Sequence, residues 1–174
     1  MNISTKTIAV NAIGIALVVV LSLCLQVPVF ENYYLCLGYV VMTVYCYTVG
    51  TIGGTIVGTM GVVLYCFLIS GLRGMPGWAI GNVFLGIVLG ISFNFIKKIN
   101  KPFLGFLLSS VLVIVATAIS MLLIKSGVES FLYAQPIWLR TVRNVYAFIA
   151  DSFVIIVSLP ICKFLHPKLK KIMK

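Results

Sequence analysis

Runs of about 20 apolar residues follow one another along almost the whole chain, separated by short segments that hold most of the charged residues. A bilayer hydrocarbon core of about 30 Å is crossed by roughly 20 such residues in a helix. Only 9% of the 174 residues are charged and 61% are hydrophobic, a composition far outside that of soluble domains. The sequence therefore predicts one compact domain over residues 1–174, an all-α polytopic membrane protein with six transmembrane helices.

The predicted spans are bounded by Pro, Gly and charged residues. The first run has no small-residue cleavage site, so we expect a helix there rather than a removed signal peptide. A short polar and aromatic loop is predicted at 28–34, a Gly- and Pro-rich loop at 71–77, and the longest connection at 125–143. The six spans are residues 7–27, 35–49, 51–70, 78–96, 103–124 and 144–162.

The basic residues predict the orientation. The formal net charge is +10, but the lysines and arginines lie between and after apolar runs, as topology signals do, rather than along a soluble face that would bind nucleic acid. With a cytoplasmic amino terminus, nine lysines face inward, and four basic residues face outward: Arg73, Lys125, Arg140 and Arg143. This asymmetry predicts that both termini are cytoplasmic.

Small residues indicate where helices approach one another closely. Ala12 and Ala16 form a small-x-x-x-small pair in the first span. This pair could pack against another helix of the bundle or against a partner protein, and the sequence leaves both alternatives open. Gly54 and Gly58 have the same spacing in the third span, which we expect to be central. The five cysteines lack metal or redox spacing and are predicted to be buried thiols.

Asp151 is an acidic residue inside the sixth span, where an ionisable side chain is costly and is normally paired, functional or directed to a cavity. Asn144 precedes it by seven residues and Arg140 by eleven, which places all three near one face of an extended helix. One alternative is that Asp151 with Arg140 or Arg143 only holds two helices together.

Trp78 and Asn82 lie four residues apart at the start of the fourth span and share one helical face. Trp78 alone is also typical of the aromatic belt at a membrane interface. A buried amide at Asn82 needs hydrogen-bond partners from protein or ligand. Together with Asn144 and Asp151, these side chains predict a small-molecule site near the outer surface, with apolar walls and a few oriented polar groups.

The chain shows no catalytic constellation. It has no Ser or Cys with a reachable His, no H-E-x-x-H motif and no pair of intramembrane carboxylates, and its glycines do not match a phosphate-binding loop. We therefore expect a non-catalytic binding protein without metal or cofactor that depends on partners for energy. A structural membrane subunit without ligand and a standalone facilitator are the alternatives.

The layout resembles a known family. The chain resembles the substrate-binding S component of an energy-coupling factor (ECF) transporter. The features that carry the resemblance are six spans in a small basic chain, Ala12 and Ala16 in the first span, a Gly-rich third span, and the stretch R-G-x-P-G-W-x-x-G-N from Arg73 to Asn82. The resemblance covers essentially the whole chain. Within this family the chain looks most similar to members for hydroxymethylpyrimidine or pyridoxine, with pantothenate, riboflavin and folate members as alternatives.

The resemblance implies a function and partners. Such proteins bind a vitamin from outside under a lid formed by the first loop, here 28–34. They associate with a transmembrane coupling protein (EcfT-type) and two cytoplasmic ATPases (EcfA-type), and ATP hydrolysis topples the S component within the membrane lipid. Ala12 and Ala16 would contact the coupling protein. The substrate would contact Trp78, Asn82, Asn144, Asp151, Arg140 and Tyr34.

Overall fold

A computed structural model describes residues 5–24, 27–30, 33–70, 75–99 and 101–173. The helices are α1 (Thr5–Cys24), α2 (Gly38–Thr48), α3 (Thr51–Tyr65), α4 (Met75–Ile96), α5 (Pro102–Ala118), α6 (Ser126–Tyr133) and α7 (Ile137–Met173). Two short strands, β1 (Val27–Phe30) and β2 (Tyr33–Leu35), pair antiparallel between α1 and α2. The predicted all-α fold is confirmed, with this small hairpin as an addition.

Contacts along the helices define an up-and-down order. The Tyr45 hydroxyl in α2 donates to the carbonyl of Val10 near the start of α1, and Gly38 at the start of α2 lies against Ser22 near the end of α1. The same alternation continues through α3, α4, the α5 to α6 segment and α7. In its described residues the chain therefore runs along the bundle six times, and α2, with 11 residues, is the one short pass. We call the end that holds the start of α4 the Trp78 end, and the opposite end the Lys97 end.

Glycines set the distances between the central helices. A Cβ on Gly90 would lie 2.4 Å from the Thr51 Cα, and one on Gly54 would lie 2.7 Å from the Cys46 Cα. No side chain fits at these approaches, so α3 packs backbone to backbone on α4 and α2. The predicted central position of the Gly-rich helix is confirmed.

The surface is apolar, as expected in lipid. Of the described residues, five helical stretches are long and apolar enough to cross a membrane. Large side chains such as Phe95, Phe103 and Phe153 are more than half exposed, while Leu85, Leu89 and Ile155 form the interior. The molecule is therefore a multi-pass membrane protein whose buried core lies between α2, α4, α5 and α7.

The structure corrects three predicted boundaries. The second span is shorter than residues 35–49, because Leu35 belongs to β2 and α2 has only 11 residues. The 125–143 connection is mostly helical: a π-helical segment, Ile119–Lys125, joins α5 to α6, and the break before α7 covers only 134–136. Ala134 ends α6 in the left-handed conformation.

The third correction concerns the basic tail. The predicted sixth span ends at residue 162, whereas α7 continues to Met173 through Pro160 and Pro167. Its 37 residues extend about 55 Å at 1.5 Å per residue, well beyond a hydrocarbon core of about 30 Å. The lysine-rich end of α7 therefore projects from the Lys97 end of the bundle.

Candidate functional site

A hydrogen-bonded network joins α2, α3 and α4 near the Trp78 end. The Trp78 Nε1–H donates to the Tyr39 hydroxyl oxygen at 2.8 Å, and the Tyr39 hydroxyl donates to the Asn82 Oδ1, also at 2.8 Å. The Asn82 Nδ2–H donates to the carbonyl of Gly58 at 3.2 Å. We call Trp78, Tyr39 and Asn82 the Tyr39 network.

The start of α4 is shaped to present this network. Pro76 lies in the first turn of α4, where its missing N–H costs nothing. A Cβ on Gly77 would lie 3.0 Å from the Glu129 Cγ and 3.1 Å from the Lys125 carbonyl. Glycine at this position therefore lets α4 approach the segment that contains Lys125 and Glu129, with Trp78 directed toward Tyr39.

Asp151 borders the Tyr39 network from α7. Its side chain is buried and lies beside the Tyr39 hydroxyl, within electrostatic range of Lys125 and Cys36. The Lys125 Nζ lies 5.8 Å from the centroid of the Trp78 ring. Burial, and second the negative charge of Asp151, raise the pKa of the Cys36 thiol to about 12. The acid Asp151, the base Lys125 and the aromatic side chains of Tyr39 and Trp78 are thus neighbours near the Trp78 end.

A second polar group, the Glu129 cluster, lies at the same end between α6 and α7. The buried Glu129 carboxylate accepts a hydrogen bond from the Asn144 Nδ2 at 3.3 Å and forms an ion pair with the Arg140 guanidinium at 3.7 Å. Asn144 also donates to the Ser126 hydroxyl at 2.9 Å. Glu129, Asn144, Arg140 and Ser126 together hold the first turns of α7 against α6.

The structure divides the predicted site residues between these two groups. Trp78 and Asn82 belong to the Tyr39 network and Asp151 borders it, whereas Asn144 and Arg140 belong to the Glu129 cluster. The backbone of Tyr34 pairs with Pro28 in the hairpin, and its side chain lies outside the described residues. The 28–34 loop is therefore a hairpin in its described parts, and Arg73 falls outside them.

The structure answers two questions about partners that the sequence left open. Arg140 pairs with Glu129 rather than with Asp151, and Arg143 is exposed, so the alternative that Asp151 and an arginine only hold two helices together is wrong. Asn82 is 1% exposed, and both ends of its amide bond protein groups. Its amide ties helices together, so removing it is expected to reduce stability as well as any binding.

The sequence-based reasoning missed Tyr39, Lys125 and Glu129 as members of the site. Glu129 is one of only three acidic residues in the chain, which was the available signal, but it fell in a predicted loop. Tyr39 stood among several tyrosines of its span, and nothing local distinguished it. Their roles follow from helix packing, which brings distant segments together.

The side of the Tyr39 network that faces α1 and α3 is closely packed. Val18, Met42 and Gly58 line a gap beneath Tyr39 and Asn82 that is too small for a water molecule. Lys125 lies beside the Trp78 ring, and Asp151 approaches Tyr39 from α7.

The fold and these polar groups define a class of protein: a compact, six-pass helical membrane protein with oriented polar and aromatic side chains concentrated near one end, as in a small-molecule binding subunit. Residues 2–166 match the family model described as ECF-type riboflavin transporter, S component. The chain belongs to this family. No curated protein matches it.

Family membership confirms the resemblance to an S component. The chain is therefore the substrate-binding subunit of an ECF-type vitamin transporter rather than a catalytic subunit. The match does not support the narrower resemblance to hydroxymethylpyrimidine or pyridoxine members. Riboflavin, the vitamin in the family description, was among the alternatives.

Proposed function

We propose that this S component binds riboflavin at the Trp78 end of the bundle and delivers it to an ATP-driven importer. The observation that carries the proposal is a family match over residues 2–166 together with a buried aromatic and polar network in the same chain. A flavin ring is planar and carries carbonyl and ring-nitrogen acceptors. Trp78 offers a stacking surface, and Lys125 offers a donor beside it.

The packed gap beneath Tyr39 supports the position of the ligand on the opposite side of the network. There the Asp151 carboxylate accepts hydrogen bonds from ring N–H or ribityl hydroxyl groups. The Arg140 Nε is buried without a partner among the described residues, so it remains a donor for a polar substituent. Strands β1 and β2 both contact α7 and are suited to cover this region as part of the lid.

A smaller ring, pyridoxine or hydroxymethylpyrimidine, is the second candidate. The observation in its favour is Asp151, because a carboxylate pairs well with a pyridinium or aminopyrimidine nitrogen. Asn82, the amide of the Tyr39 network, already has both amide groups bonded within the protein and is not available to pair with such a ring. Riboflavin is therefore the first candidate for the ligand.

The partners belong to the same proposal. Ala12 and Ala16 are both exposed on α1, whereas Gly14 between them packs on Tyr45. An exposed small pair supports contact with an EcfT-type coupling protein, which would join two EcfA-type ATPases. The Lys97 end carries most of the lysines, which supports a cytoplasmic position for both termini.

The experiment is a competition between vitamins. The purified protein is titrated with riboflavin, and pyridoxine and hydroxymethylpyrimidine are added as competitors. We expect saturable riboflavin binding that a hundredfold excess of either small ring does not displace. Asp151→Asn should weaken binding, whereas Ser109→Ala, a buried hydroxyl bonded only to its own helix, should not. Binding of a small ring in preference to riboflavin would replace the first candidate with the second.

A further inference from the structure

A separate cavity opens at the Lys97 end, away from the Tyr39 network. It lies where α4 ends, α5 begins and α7 passes, and its volume is ≈ 90 Å³. Lys97, Lys101 and Lys163 line it, and we call it the lysine cavity. Ile96, Phe106 and Leu159 form its apolar walls.

Among the described residues, no acidic side chain lies near the three lysines. The described acidic residues are Glu129 and Asp151. Glu129 lies at the opposite end of the bundle, and Asp151 precedes Lys163 by twelve residues of α7, or about 18 Å. No carboxylate of the described residues therefore neutralises the positive charge of the cavity, which favours an anion there.

Lys97 is held in place within this charge cluster. Its ammonium donates to the Tyr47 carbonyl oxygen and lies 4.5 Å from the Tyr47 ring centroid. Burial, and second the neighbouring Lys170, lower the pKa of Lys97 below its usual value. An anion in the cavity would relieve both effects, because it would compensate the buried charge.

The junction of α4 and α5 contributes to the lining of the cavity. Lys101 is the N-cap of α5 in extended conformation and Pro102 is its first helical residue, and both line the cavity. Three lysine residues, from the end of α4, the start of α5 and α7, thus border one small space.

We propose that the lysine cavity binds a phosphate group, supplied by an anionic phospholipid of the surrounding leaflet. A cavity of ≈ 90 Å³ lined by three lysines suits a compact oxyanion. The apolar walls at the ends of the membrane-crossing stretches suit the start of acyl chains. A free phosphate ion has the same charged chemistry, so the experiment must separate the two sources.

The chain offers a matched control. The Lys98 ammonium lies over the Phe95 ring and the Lys168 ammonium over the Phe164 ring, and neither residue lines the cavity. The test compares Lys97→Gln/Lys163→Gln with Lys98→Gln/Lys168→Gln, which remove the same charge. Each protein is exchanged from detergent into mixed micelles with phosphatidylglycerol or phosphatidylcholine, and retained lipid is counted by native mass spectrometry.

We expect the unaltered protein and the control variant to retain one phosphatidylglycerol and no phosphatidylcholine. A lysine close to an anionic headgroup contributes about 1 kcal/mol, or about fivefold in affinity, so the cavity variant should bind roughly 25-fold more weakly. Lys163→Gln alone, at an exposed position, should bind about fivefold more weakly if the double variant does not fold.

Two results would overturn the proposal. Equal loss of lipid in cavity and control variants would mean that net charge alone attracts it. Stabilisation of the lipid-free protein by inorganic phosphate, without retention of phosphatidylglycerol, would reassign the cavity to a free anion. Riboflavin titration of the same variants keeps this test separate from the vitamin site, because binding there should be unchanged.

Discussion

Tyr39→Phe is expected to destabilise the bundle more than the same change elsewhere in α2. The Tyr39 hydroxyl makes two interhelical hydrogen bonds, to Trp78 and Asn82, and it also neighbours Asp151. Interhelical hydrogen bonds in membrane proteins average about 0.6 kcal/mol and reach about 1.7 kcal/mol. Loss of both should therefore reduce the free energy of unfolding by about 1 to 3 kcal/mol.

Tyr45→Phe is the matched control. Both tyrosines are at most 8% exposed, but the Tyr45 hydroxyl makes a single bond, to the Val10 carbonyl, so its loss should reduce stability by only about 0.6 kcal/mol. The assay is unfolding in mixed micelles titrated with sodium dodecyl sulfate and followed by circular dichroism. A double-mutant cycle with Trp78→Phe isolates the Tyr39–Trp78 bond. Equal destabilisation by both Tyr→Phe changes would refute the central role of Tyr39.

Three further predictions test other parts of the molecule. Ala16→Leu should leave vitamin affinity unchanged but reduce uptake in cells that contain the coupling protein and its ATPases, because a larger side chain on α1 prevents close helix approach. Full uptake would contradict the assignment of Ala16 to the partner surface. Cys36 should resist maleimide at pH 8, because its pKa of about 12 keeps the thiol protonated, while exposed Cys24 reacts; peptide mass spectrometry distinguishes them. In a Cys24→Ser background, Arg143→Cys should react with an impermeant maleimide on intact cells and Lys168→Cys only after permeabilisation, and the reverse pattern would invert the proposed orientation.

The parts of the fold that depend on local composition were predictable. The starts and ends of α1, α3 and α4 fall within a few residues of the predicted spans, because each is an apolar run limited by charged, Gly or Pro residues. The extension of α7 was missed because the predicted span ends where the apolar run gives way to lysines, whereas the helix continues to Met173. An apolar run marks the part of a helix that crosses the membrane, not the end of the helix itself.

The candidate site was predictable only in part. Spacing correctly placed Arg140 and Asn144 on one helical face, since both contact Glu129. Asp151 follows Asn144 by seven residues of the same helix, about two turns further along the predicted face, and there it borders Tyr39. Helical periodicity gives neighbours along one helix, but the partner side chain comes from another segment, and neither Tyr39 nor Glu129 carries a local signal for that contact.

The most direct test of the site is the affinity for riboflavin after replacing each of the two tryptophans. Trp78 is half-buried and bonded to Tyr39, whereas Trp138 at the start of α7 is 66% exposed. Titration of purified Trp78→Phe and Trp138→Phe, followed by flavin fluorescence, should give a dissociation constant raised about tenfold, or about 1.4 kcal/mol, for Trp78→Phe alone. The same affinity in both variants, or no saturable binding by the unaltered protein, would contradict a vitamin site at the Tyr39 network.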